Sequence, residues 1–166
     1  YRAMLRFLFL LLLSTALGVP LSAGDWPQWM GPARDGVWPE AGLIEKFPEA
    51  GPTIVWRASA GAGYAGPAVA GGRVFVMDRE SRPTPDTSKG LQGVERLRAI
   101  DAATGHTLWE RSWDAPYLID YASGPRATPT IHDGLVYALG AEGHLVCVRA
   151  DTGATVWERA LKTDFH

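Results

Sequence analysis

The feature that most constrains this chain is an internal repeat. Pro67–Val76 (PAVAGGRVFV) aligns with Pro129–Ala138 (PTIHDGLVYA) at an offset of 62 residues, and Leu97–Arg111 aligns with Leu145–Arg159 at an offset of 48. Self-similarity on this scale means that one supersecondary unit is stacked on copies of itself, because a single unit leaves an apolar face uncovered. The difference between the offsets places an insertion in the first copy around Arg79 to Gly93. Pro83, Pro85, Ser88 and Gly90 mark it as a surface loop.

Within each copy the apolar residues come in runs of four to seven, separated by Gly71-Gly72, Thr104-Gly105, Asp133-Gly134, Glu142-Gly143 and Thr152-Gly153. That is hairpin following hairpin, with no helical period. Strands are expected near 67–70, 73–78, 95–101 and 107–113, and again near 129–132, 135–140, 144–149 and 155–161. Four strands per copy at a spacing of 48 residues fit the blade of a β-propeller, which takes roughly 40 to 50 residues. The fold class is therefore all-β, with about two four-stranded antiparallel blades, the first over 61–113 and the second over 114–161. Trp109 and Trp157 fall at equivalent outer-strand positions after the Gly105 and Gly153 turns, where one flat ring per blade can lock neighbouring sheets together. Both are expected to be substantially buried. Trp56 has the same phase, which makes 53–60 an outer strand lacking its own three partners and suited to closing a ring. Two blades cannot close a ring, so the chain is expected to continue, with 162–166 opening a third blade.

Residues 1–23 read as a secretory signal peptide with upstream residues. Met4 and Arg6 precede the apolar run Phe7–Leu13, and small or breaking residues from Gly18 to Ala23 suggest cleavage after Ala23. The run is too short and too interrupted for a membrane span, and a lipid-anchor cysteine is missing at the cleavage point, so no stable membrane anchor is expected. This segment should form the one sizeable helix. The chain is then exported, to the periplasm or beyond, and 24–52 forms an entry strap. The net charge of -2, with no basic stripe, argues against a nucleic-acid partner. The single cysteine, Cys147, lies in an apolar strand and reads as a small packed side chain. His106, His132, His144 and His166 fall in turns or at strand ends without the spacing of a metal site.

The run Leu145–Trp157, with its Ala150-Asp151-Thr152-Gly153 centre, resembles the repeat signature of pyrroloquinoline-quinone (PQQ) type propellers, and Asp101, Thr104, Gly105 and Trp109 carry it in the first copy. The opening Asp25-Trp26-Pro27-Gln28-Trp29 and the segment Gly124–Pro129 resemble exported members of the same group. The resemblance implies three functions. The first is a non-catalytic propeller that binds or scaffolds a protein or polymer partner outside the cytoplasmic membrane. The second is a quinoprotein dehydrogenase acting on alcohols or sugars, with PQQ and calcium held at the ring axis by blades beyond residue 166. The third is a sugar- or polymer-binding module of a degradative protein, in which exposed aromatics such as Trp38 or Tyr117 would matter. No cofactor and no catalytic group is evident in the residues present.

The candidate ligand-binding residues come from the loops entering the innermost strands. Aligning Gly63–Pro67 with Pro125–Pro129 makes Tyr64 and Arg126 equivalent. Inner strands run along the central channel, so both should sit near its mouth, with Asp120 and Tyr121 just upstream of Arg126. The alternative is an Arg126 that pairs with Asp120 and ties one blade to the next.

Overall fold

A computed structural model describes residues 24–83, 90–117 and 124–165. It contains two four-stranded antiparallel sheets in simple sequential order. The first is β1 (Ala68–Ala70), β2 (Arg73–Ser81), β3 (Gly93–Asp101) and β4 (Thr107–Asp114). The second is β5 (Thr130–His132), β6 (Leu135–Leu139), β7 (His144–Arg149) and β8 (Thr155–Ala160), followed by the single turn α1 (Leu161–Asp164). These are two propeller blades, and their strands lie within about two residues of the positions expected from sequence, except where the insertion falls. Among the described residues no helix is long and apolar enough to cross a membrane. The expected signal peptide lies outside them.

The two sheets repeat one another in register as well as in sequence. Phe75 stands opposite Ala99, and Ala99 opposite Trp109; Tyr137 stands opposite Cys147, and Cys147 opposite Trp157. The outer pairing slips at the same step in each blade, between Ala99 and Ile100 and between Cys147 and Val148. This bulge places an extra residue, Leu108 or Val156, and sets the following tryptophan on the face shared with Phe75 or Tyr137. The rings of Phe75 and Trp109 then lie 5.9 Å apart, and those of Tyr137 and Trp157 6.1 Å apart.

Packing follows from the strand alternation. Phe75, Met77, Leu97 and Ala99 of the first blade meet Val136, Ala138, Val146 and Val148 of the second in one buried cluster, with Trp109 and Trp113 against its edge. Burying each large side chain here contributes about 1.5–3 kcal/mol relative to exposure, so this joint dominates the cohesion of the pair. Trp109 completes it by donating its indole N–H to the Ala150 carbonyl at 3.0 Å. The ring lies flat over Gly153, where a Cβ would sit 2.7 Å from it and where φ is +70°. Only glycine satisfies both conditions. Trp56 repeats the arrangement, with its N–H on the Ala102 carbonyl at 2.9 Å and its ring over Gly105.

Three expectations need correction. Thr53–Ala60 forms no strand, although Trp56 docks as its phase requires; an outer strand needs a third strand to pair with, and none lies beside it among the described residues. The insertion is not all loop, since β2 continues to Ser81 and β3 starts at Gly93, and the stem so formed carries buried Arg79 and Glu95. Trp157 is 36% exposed, not buried: among the described residues no turn lies over it as Ala150–Gly153 lies over Trp109.

Candidate functional site

The entry loops of the two inner strands lie against each other. The N–H groups of Tyr64 and Ala65 both donate to the Pro125 carbonyl, at 2.8 and 3.0 Å, and Gly124 approaches the Gly63 backbone too closely to admit a side chain. This backbone clasp brings Arg126 over the Tyr64 ring, with Cζ 5.3 Å from the ring centroid, while Nη1 donates to the Gly124 carbonyl at 3.0 Å. Tyr64 is 62% exposed. The equivalence read from sequence thus becomes a cation–π pair facing solvent. Asp120 and Tyr121 lie outside the described residues.

The strap runs along the inner edge of both blades. Trp26 exchanges two backbone hydrogen bonds with Val69 of β1, at 2.8 and 2.9 Å, and the Pro27 carbonyl accepts from Ile131 of β5 at 2.8 Å. It thereby covers part of an otherwise unpaired edge in each sheet. Trp26 and Trp38 meet at 5.8 Å with planes tilted by 42°. Together with Trp29 they line an apolar cleft of about 300 Å³ floored by Gly66, Pro67 and Thr128. Gly66 and Thr128 stand two residues beyond Tyr64 and Arg126 in the two lead-ins. Trp29 and Trp38 are largely exposed.

Two buried polar clusters escaped the sequence reading. Asp78 accepts both Nε and Nη2 of Arg96 at 2.8 and 2.9 Å, Arg98 at 2.8 Å and the Gly61 N–H at 2.7 Å. Burial pushes its carboxyl pKa up, but the Arg96 and Gly61 hydrogen bonds and the two guanidinium charges outweigh it and hold the value below the ordinary one. Arg98 also donates to the Ser59 carbonyl at 2.9 Å, so the cluster fastens the entry segment to the first blade. Glu95 accepts from the Tyr117 hydroxyl, from the Trp113 indole at 3.0 Å and from the Ala141 N–H of the second blade at 2.9 Å. Tyr117 is therefore buried, contrary to the exposure expected of it, with Arg79 stacked 4.3 Å over its ring. Burial and the Glu95 bond push its phenol well above its usual range. The available signal was the longer spacing of the first repeat, which leaves Arg79 and Glu95 without like residues in the second.

Cys147 is buried, and burial raises its thiol above the ordinary value, which suits a packing residue more than a nucleophile. Among the described residues no three His, Cys, Asp or Glu side chains converge as a calcium set requires.

Residues 93–166 match the family model described as outer membrane protein assembly factor BamB. No curated protein matches the chain. Among solved structures, a europium-containing methanol dehydrogenase is 17% identical, with the match covering 64% of this chain and 26% of that one at a TM-score of 0.30. BamB from Moraxella catarrhalis is 18% identical, covering 63% and 38% at a TM-score of 0.22. The chain thus spans well under half the length of either.

Proposed function

We propose that this chain, a partial propeller with PQQ-like repeats, is an exported binding or scaffold module that holds a protein partner outside the cytoplasmic membrane. The observation that carries this reading is the Tyr64–Arg126 pair, held by backbone bonds between two blades and presented to solvent, with exposed Trp29 and Trp38 on a cleft whose floor includes Gly66 and Thr128, two residues further along each lead-in. Large rigid aromatics with an arginine are the groups that dominate binding energy at protein interfaces. The match to a family described by an assembly factor supports a protein partner.

The test is a photo-crosslinking amino acid placed at Tyr64 in the full-length protein in its own cell envelope, with Leu108 on the outer strand as the control position. A discrete crosslinked protein at position 64, lost in Arg126→Ala at an unchanged melting temperature, is the expected result. No adduct at 64, or the same adduct at 108, removes the reading. A melting temperature lowered by several degrees in Arg126→Ala supports instead a residue that only ties the blades.

A further inference from the structure

Two arginines break the internal repeat at the same place. Arg73 corresponds to Leu135, and Arg149 corresponds to Asp101. In each sheet these positions are register partners, Arg73 with Asp101 in the first blade and Leu135 with Arg149 in the second. The blade therefore accommodates a leucine at one position and an aspartate at the other, and its architecture requires neither arginine. Yet both line a single cleft of about 500 Å³ between the blades. Tyr64 precedes β1 and this cleft lies beside the Gly71 turn that follows it, so it is at the opposite end of the inner strand from the partner site proposed above.

Charge in the cleft is incompletely matched. Asp101, across the sheet from Arg73, gives one oxygen to the Ala103 and Thr104 N–H groups and to the Thr104 hydroxyl, at 3.1, 2.8 and 2.8 Å. Among the described residues Arg73 makes no ion pair; Nη1 donates to the Gly71 carbonyl at 3.2 Å, and Nε is buried without a partner. The rim acids are already engaged. Asp25 accepts the Gly71 N–H at 3.1 Å, Asp133 lies 3.3 Å from His132, and Asp151 lies 3.5 Å from Arg149. Pro27, Ala70 and Ile131, each only partly buried, contribute apolar surface. A cavity of this size, with apolar walls and a few convergent polar groups, has the character of a small-ligand site. A guanidinium fork suits a carboxylate, while three rim aspartates repel a multiply charged anion.

We propose that this inter-blade cleft binds a monocarboxylate with an apolar body, its carboxylate on Arg73 and its body on Ala70 and Ile131. A free organic acid and the C-terminus of a peptide both present this chemistry. Calorimetric titration of the full-length protein with 3-phenylpropionate, with a peptide ending in a free phenylalanine carboxylate, and with the same peptide amidated tests the proposal. The amidated peptide should bind about tenfold or more weakly than its free acid if the guanidinium recognises the carboxylate. Arg73→Leu, which installs the residue the second blade already carries, should erase that difference. Tight binding of phenylpropionate identifies a free acid as the source, and a clear preference for the peptide identifies a chain end. Equal binding of acid and amide, unchanged binding in Arg73→Leu, or no binding at millimolar concentration overturns the proposal. The acid–amide comparison needs no variant, so it remains decisive if Arg73→Leu fails to fold.

Discussion

One indole, one carbonyl and one glycine fix each described blade contact of the Trp56 and Trp109 type; the tryptophans and the Gly105 and Gly153 turns were readable from the repeat, but the Ala102 and Ala150 carbonyls that accept the indoles were not. Asp78 was not readable, since its partners come from Gly61, Arg96 and Arg98 and no local pattern announces that they meet. Its lowered pKa sets the sign of a pH effect. The unfolded chain binds a proton near the ordinary value of 3.8 and the folded chain only below it, so Asp78 contributes fully above that value and its contribution is lost as pH falls through the folded pKa. Urea unfolding of wild type and Asp78→Asn from pH 7 to pH 3 checks this. The variant should lose about 3 kcal/mol at neutral pH, as expected for a buried charge network deprived of one partner. The gap should narrow below pH 4, and a gap independent of pH refutes the assignment.

At the scale of elements, the strands were legible because alternation and turn residues agree over both repeats. The insertion was half legible: its Pro and Gly residues marked a loop, but nothing local showed that its stem stays paired and inserts Glu95 against the neighbouring blade. That stem makes the insertion a second inter-blade fastening. Glu95→Ala leaves the Trp113 indole, the Tyr117 hydroxyl and the Ala141 N–H without their acceptor. Each buried unsatisfied donor costs about 1–3 kcal/mol, so a loss of roughly 3 kcal/mol or more is expected. Glu95→Gln retains an acceptor oxygen and should lose about half as much. Denaturant midpoints of the two variants measure the difference, and equal losses rule out the hydrogen-bond account.

For the molecule as a whole, the second blade presents a face that the first has covered. Leu145, Trp157, Leu161 and Phe165, with Arg159 beside them, surround an open, mainly apolar hollow of about 360 Å³, on the face equivalent to the one by which the first blade holds the second. Residues 24–166 expressed alone should therefore associate, and Trp157→Arg should reduce the association by placing a charge on that face. Light scattering coupled to size-exclusion chromatography reads this directly, and a wild-type monomer at micromolar concentration contradicts it. The strap has a different consequence, one of timing. Trp26 and Pro27 come early in the chain, but their hydrogen-bonding partners are Val69 and Ile131. On a chain that emerges from its N-terminus, this segment appears early and can complete its attachment only after the first blade and the inner strand of the second exist. Until then the Trp26 and Pro27 backbone groups lack their partners, and the strap works as a latch that the finished joint between the blades allows to close.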